Sequence, residues 1–417
     1  MDVLSVKIGI ALFLSVAVVL LLWLRKYLNR FSESQHGSLI ALFFVFLRVI
    51  PFVLVYLVLG LEPRSDVPVF FDAALQASRG QVVYRDFWSP YSPLFAYMTA
   101  LPVLFWQSAK AVVALMILME GLALWLTWRF YRPLLGRDAL IRVLVYLMLP
   151  GPLVLCVLGG QEDIWMWLFV VISALVWQRT RNSFWVGVVM ALALITTKAL
   201  AVLLVVSLFF LVERPFKYLA GLLLVGIPSF ALLVWLVGEK FLTPLMFADM
   251  PFAPNLWTVV SPIIGDFRPY AKTLSWVGLA ATMGVACLAA AFLKQKTTYE
   301  KALPVLFSLC FSFMMFFHKS SFSNYAFIFM MPFVLGILNL SSRRQLLALL
   351  LFNAAVVVQP TYWWGLGTPV FTNWAMVLTP RHLIEYGMEL TVVGCLVYFL
   401  VLLYRNLVYQ PGRLGSV

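Results

Sequence analysis

Long apolar stretches recur along the whole chain, and they leave one class of fold open. Thirteen of them, at roughly 5–24, 38–60, 109–128, 143–158, 164–178, 184–197, 199–212, 218–237, 273–293, 302–317, 325–340, 345–359 and 383–404, are separated by polar connections. A spanning helix needs about 20 mostly apolar residues. Backbone inside lipid must satisfy its own hydrogen bonds, which restricts it to helices or closed barrels. The alternating ten-residue segments of a barrel are absent from this sequence. The expectation is an all-α polytopic membrane protein of about 13 transmembrane helices, a single integral domain over residues 1–417. Composition agrees: the chain is 63% hydrophobic with mean hydropathy +0.97, and 11% charged against about 25% in a soluble domain. The stretch at 5–24 lacks a small-residue cleavage site and reads as a retained helix. Segment 93–106 is apolar but short, which suits an interfacial or re-entrant helix.

The net charge of +13 does not point to nucleic acid, because the basic residues sit in short clusters between apolar segments. Alternate connections hold Arg25, Lys26 and Arg30; Arg129, Arg132, Arg137 and Arg142; Arg179 and Arg181; Arg214 and Lys217; Lys294, Lys296 and Lys301; Arg343 and Arg344; Arg405 and Arg413. That places eighteen of thirty basic residues on one side, expected to be cytoplasmic. The opposite side receives Glu62, Asp66, Asp72, Asp86, Glu162, Asp163, Glu239, Asp249 and Asp266. Long acidic, aromatic loops there imply chemistry on the extracytoplasmic face of a plasma or bacterial inner membrane. The alternation depends on 184–197 and 199–212 being two helices; a single broken helix there would upset it downstream. Cys156, Cys287, Cys310 and Cys395 all fall in apolar stretches and suggest neither disulfides nor a metal site.

The connection at 61–108 carries the densest polar chemistry. Asp66, just after the second helix in Ser-Asp-Val-Pro, is the leading catalytic candidate: near a lipid headgroup it could take a proton from an acceptor hydroxyl. A salt bridge to Arg64 or Arg85 is the structural alternative. Asp86, in Tyr84-Arg85-Asp86-Phe87-Trp88, reads equally as a turn acceptor or a substrate contact, and Asp72 as mostly structural. In Gly159-Gly160-Gln161-Glu162-Asp163 the two acids suit a helix N-terminus, or they line a cavity with Asp66 and bind sugar hydroxyls or a cation. Lys198 is a lone charge among apolar residues, either facing a lipid-linked phosphate or snorkelling to the interface. His318-Lys319, with Asn324-Tyr325 following, could hold a phosphate or share a proton with a carboxylate. Arg381-His382 offers a second cationic pair, and Asn255-Leu256-Trp257 and Trp363-Trp364 could stack on sugars or anchor at the interface.

Taken in order, an acid in the first such loop, Tyr84-Arg85-Asp86-Phe87 with Tyr91-Ser-Pro93-Leu94, Gly160-Gln161-Glu162-Asp163, Thr197-Lys198, Asn255-Leu256-Trp257 and His318 to Pro332 resemble the glycosyltransferase-C superfamily. The nearest branch is the polyprenol-phosphate-mannose-dependent mannosyltransferases. The resemblance implies a glycosyltransferase-C-like bundle with an extracytoplasmic loop and interfacial-helix layer. It implies a polyprenyl-monophosphate sugar donor, a lipid or glycan acceptor, and displacement with inversion. By position, Asp66 is the catalytic aspartate, His318 a histidine that pairs with it, and Lys198 and Lys319 donor-phosphate contacts. Arg64, Tyr84, Asp86, Gln161, Glu162, Asp163, Asn255, Trp257, Asn324, Tyr325 and Arg381 complete the expected substrate-binding set. Ser65-Asp66-Val67 has no Asp-Asp or Asp-Glu pair, so no metal ligand is assigned and a divalent cation stays an open question.

The function expected is sugar transfer from that donor, with Asp66 as base. A polymerase or ligase using a diphosphate-linked donor ranks second, since its late loop would be richer in arginine than 360–382. A flippase or transporter would place more charge at mid-membrane.

Overall fold

A computed structural model describes residues 3–28 and 30–409; of the basic residues counted above, Arg413 lies outside them. Among the described residues the chain is helical, and one isolated bridge, Val83 to Phe87, is its sole extended pairing. The main helices are α1 (Val3–Trp23), α2 (Glu33–Val58), α3 (Val67–Ser78), α4 (Phe95–Phe105), α5 (Ala109–Leu135), α6 (Asp138–Met148), α7 (Pro150–Leu158), α8 (Ile164–Thr180) and α9 (Ser183–Thr196). They continue with α10 (Ala201–Leu211), α11 (Pro215–Val237), α12 (Leu256–Ile264), α13 (Ala271–Lys296), α14 (Tyr299–Phe317), α15 (Ser323–Ile337), α16 (Arg343–Gly365) and α17 (Pro380–Tyr409). Every apolar stretch singled out in the sequence is helical, and 93–106 contains α4.

Eight helices, α1, α2, α5, α11, α13, α14, α16 and α17, are long and apolar enough to cross a membrane. The protein is therefore an all-α polytopic membrane protein. The pair α6–α7 makes a ninth span if counted as one, bent by 56°. The bend falls at Leu149, held extended (ψ 136°) because the ring of Pro150 excludes the helical conformation from the residue before it. At 1.5 Å per residue, α8, α9 and α10 reach only about 26, 21 and 17 Å, less than a hydrocarbon core of about 30 Å. A count of thirteen would need these three and α15 to cross as well.

The arrangement of α9 and α10 is decided by their far ends. The amide of Arg214, just past α10, donates to Ser183 Oγ at the start of α9 (3.3 Å). The two helices therefore fold back as a hairpin with Thr197–Leu200 at the tip, not as one interrupted helix. Other connections also pair with their own kind. Tyr131 and Arg181 both reach Glu300, and Arg25 reaches Ser341, at one end of the bundle. At the other end the amide of Ser92 reaches Thr197, that of Phe252 reaches Lys319, and Ser261 reaches Phe371.

The centre of the bundle is α14 and α5, whose apolar windows are 72% and 56% buried by protein; for α1, α2 and α11 the figures are 17%, 17% and 11%. The last three leave most of their surface to lipid. One peripheral helix is held by charge: Arg48 on α2 grips Glu120 on α5 through two nitrogens (2.6 and 2.9 Å), and Tyr146 on α6 donates to the same carboxylate (2.9 Å). All three side chains are fully enclosed. A buried pair persists only when both charges are matched and hydrogen-bonded.

Candidate active site

Four connections meet beside Asp66. The first is the loop between α2 and α3, where Ser65 adopts φ +61° and turns the chain so that Asp66 precedes α3, half-buried. The second is the turn after α7. Gly160 sits there with φ +59°, and a Cβ on it would lie 2.3 Å from Val67 Cγ2. A glycine is therefore required twice, for its backbone angle and for its contact. This approach brings Gln161 onto Asp66: Gln161 Nε2 donates to Asp66 Oδ2 (2.9 Å) and to Ser65 Oγ (3.3 Å). The third is the segment opening α15, where Asn324 Nδ2 donates to Gln161 Oε1 (2.7 Å). The glutamine thus has one orientation, since its amide nitrogen faces a carboxylate and its oxygen faces a donor.

The fourth is the α9–α10 tip. Lys198 Nζ lies 2.6 Å from Asp163 Oδ1 and 2.8 Å from Glu162 Oε1. Its ammonium also stands 5.6 Å from the Tyr91 ring centre and 5.1 Å from that of Tyr325. Tyr91 is brought there by the rigid Ser-Pro-Tyr-Ser-Pro segment, whose backbone hydrogen-bonds the end of α9 through Ser92 to Thr197 and Leu94 to Ile195. Tyr84 donates to the Tyr91 carbonyl and braces this segment from below.

Electrostatics follow from burial. Glu162 and Asp163 are each 1% exposed. Loss of water pushes Glu162 up to about 7 despite Lys198 beside it, and raises Asp163 for the same reason. Burial works against the Lys198 ammonium, but Asp163 and Glu162 outweigh it and hold the lysine well above its ordinary value. Both oxygens of Glu162 and Oδ2 of Asp163 are enclosed without an aligned hydrogen-bond donor. Lys198 meets both acids at hydrogen-bond distance, and its charge offsets part of their loss of water.

The expected site residues divide into groups. Asp66, Gln161, Glu162, Asp163, Lys198, Asn324 and Tyr325 are brought together. Neither arginine bridges to Asp66: Arg85 pairs with Asp86 (2.9 Å), and Arg64 is exposed. Asp86 also accepts from the Val82 amide (2.7 Å), and these two bonds hold it down at about 2, so it closes a turn. Asp72 accepts from Gln76 within α3 (2.8 Å). Lys198, expected at a donor phosphate, is engaged by two carboxylates instead.

A separate cluster lies between α12 and the segment after α14. Asn255 caps α12 and donates to the Lys319 carbonyl (3.1 Å), Trp257 donates to the Phe317 carbonyl (2.7 Å), and Lys319 donates to the Met250 carbonyl (2.9 Å). His318 packs against Gly278 of α13, where a Cβ would come within 2.9 Å of its ring, and accepts from the Ser320 amide. Among the described residues it makes no bond with Asp66. Burial, with the charge of Lys319 beside it, lowers His318 to about 4, so it is neutral at physiological pH. Its expected partnership with Asp66 is replaced by that of Gln161. Arg381 is exposed at the start of α17, and its carbonyl accepts from Tyr362 (3.2 Å).

Tyr91, which the sequence offers in the Tyr91-Ser-Pro93-Leu94 motif without a site role, belongs to the site, its ring beneath the Lys198 ammonium. No protein-family model matches this chain, and no curated protein matches it. Function therefore rests on the site alone. Among the described residues no three His, Cys, Asp or Glu side chains group to hold a metal ion. At Asp66 the donor set does not fit one either: a glutamine N–H occupies the carboxylate and an ammonium occupies its neighbours.

Proposed function

We propose that the protein is a membrane glycosyltransferase of the glycosyltransferase-C type, with about thirteen spans and its active site on the extracytoplasmic face. The donor is a polyprenyl-monophosphate sugar, mannose by resemblance, and the acceptor a hydroxyl of a lipid or glycan. The observation that carries this reading is the convergence of four distant connections on one half-buried aspartate beside two enclosed acids. Carboxylates and amides with unused acceptor oxygens suit a polyhydroxylated ligand, because each sugar O–H needs an acceptor when it leaves water.

In this reading Asp66 removes the proton of the acceptor hydroxyl as its oxygen attacks the anomeric carbon. The anomeric C–O bond to phosphate breaks, and polyprenyl phosphate leaves with the bonding electrons, inverting the centre. Gln161 holds Asp66 by its amide. Glu162, Asp163 and Asn324 offer oxygens to the sugar. Lys198 keeps the acids in place, with Tyr91 and Tyr325 walling it in. Arg64, exposed two residues before Asp66, is the cation placed for the phosphate, which it can meet with a planar fork of donors. Asp66→Asn and Asp66→Ala should each abolish transfer from a panel of polyprenyl-phosphate sugars while leaving donor binding within about threefold. Retained turnover in either variant would overturn the assignment.

A further inference from the structure

The loop that carries Asp66 also makes an ion pair with the start of α5. Lys110 Nζ lies 3.2 Å from Glu62 Oε1, and Glu62 precedes Asp66 by four residues. The two ends of the pair differ: the Lys110 side chain is 17% exposed and that of Glu62 71%. The lysine is held in place while its carboxylate stands in water. Pro63 is buried and anchors the loop between the exposed Glu62 and Arg64. On α5, Val113 lies one turn beyond Lys110 on the same face, and its Cγ2 is 3.5 Å from where a Cβ on Gly160 would stand. Lys110 is therefore one helical turn from the contact that delivers Gln161 to Asp66. The surroundings are apolar. Leu59 and Leu61, just past α2, and Phe105 and Trp106, just before α5, are all exposed, Phe105 by 92%. Neither lysine expected at a phosphate is available to one: Lys198 is held by two acids, and Lys319 donates to a carbonyl.

Resting on the transferase reading, we propose that Lys110, with Arg64, binds the phosphate of the lipid donor, and that Glu62 is the carboxylate this phosphate displaces. An ion pair with one partner in water is weak and yields to a better anion. The enclosed ammonium meets the phosphate in a drier setting than the Arg64 guanidinium does, where a charge-assisted hydrogen bond is stronger. When the anomeric C–O bond breaks, its electron pair goes to the bridging oxygen and the phosphate gains one negative charge. Lys110 is placed to stabilise that charge, while Asp66 takes the proton of the attacking hydroxyl. Leu59, Leu61, Phe105 and Trp106 offer the first isoprene units an apolar surface at the membrane edge. A lipid-borne phosphate fits this combination of enclosed cation and exposed apolar rim; a free phosphate would use the cations alone.

The test uses the full chain in nanodiscs of zwitterionic lipid. Binding of farnesyl phosphate is read by microscale thermophoresis, with farnesol and inorganic phosphate as competitors. Farnesyl phosphate should bind saturably, and neither competitor in excess should displace it. K110M should weaken binding by about tenfold or more, and K110R should keep it within about threefold. E62Q should tighten binding by about two- to fivefold, because the competing carboxylate is gone. A pair that merely fastened the loop would instead lose binding in both K110M and E62Q. Should K110M not fold, E62Q decides alone. The inference is overturned if K110M binds like wild type, if E62Q weakens binding, or if inorganic phosphate displaces the lipid; in each case the donor reading stands. If wild type does not prefer farnesyl phosphate to farnesol, the lipid-phosphate donor itself falls, and this inference with it.

Discussion

Gly160→Ala tests the packing that presents Gln161 to Asp66. The new Cβ would stand 2.3 Å from Val67 Cγ2, far inside van der Waals contact, and Val67 has no room to yield because it is fully buried. Overpacking of this kind costs about 1–3 kcal/mol. The backbone adds about 1–2 kcal/mol, because φ is +59° and an L side chain is disfavoured there. The combined loss is about 2–5 kcal/mol, or a Tm drop of roughly 5–15 °C if a chain of this size responds like large domains. Val67→Ala by itself deletes two buried methyl groups and costs about 2 kcal/mol. In the V67A background the clash is gone, so G160A should then cost only its backbone share. The double-mutant cycle should therefore show a coupling of about 1–3 kcal/mol in the relieving direction. The assay is reversible thermal or denaturant unfolding of all four proteins in one detergent. Strict additivity would refute the claim that contact with Val67 requires a glycine at position 160, and with it the account of how Gln161 reaches Asp66.

Two further outcomes follow from the enclosed acids. Lys198→Met removes the cation shared by Glu162 and Asp163 and should destabilise the protein by about 3–5 kcal/mol; adding E162Q and D163N should restore most of that loss in the same unfolding assay. Glu162 is raised from 4.5 to about 7, so the protonated acid is the form the folded state prefers. Its contribution is full below about pH 4.5 and fades as pH rises through about 7, whereas Glu162→Gln is indifferent to pH. Stability measured from pH 4.5 to 8 should therefore fall more in wild type than in E162Q, by about 1–3 kcal/mol.

The helical stretches were legible because lipid imposes a length and an apolar composition that few sequences imitate. The grouping of connections was legible from the basic clusters, and the fold-back of α9 on α10 agrees with it. Within the site, adjacency in sequence misled where charge was read without partners. Lys198 looked like a free cation, but its two carboxylates lie 35 and 36 residues away. His318 and Lys319 looked like phosphate ligands, but backbone carbonyls and helix packing claim them. Gln161 is expected from the resemblance to bind substrate, and nothing local says that its neutral amide will instead meet Asp66. The enclosed Arg48–Glu120 pair and the Glu385–Glu389 pair were passed over inside apolar windows. Charges in such windows were the available signal.

The placement of Asp66 is a consequence of hydrogen-bond direction. Asn324 donates to Gln161, which donates to Asp66; Ser323 donates to Gln359, which donates to Glu385. Two neighbouring residues at the start of α15 therefore send their donors opposite ways, each through one glutamine to one carboxylate. Neither glutamine can flip without setting its oxygen against a carboxylate and its nitrogen against a donor. The three-residue turn at Ser323–Tyr325 is thus clamped from both sides, and Tyr325, the third of its residues, holds its ring over Lys198. A hydrogen-bonded route therefore runs from Glu385 through Gln359 and this turn to Gln161 and Asp66. That continuity, built from side chains on α16, α17 and the opening of α15, makes the late helices part of the site's support and not merely of its membrane anchor.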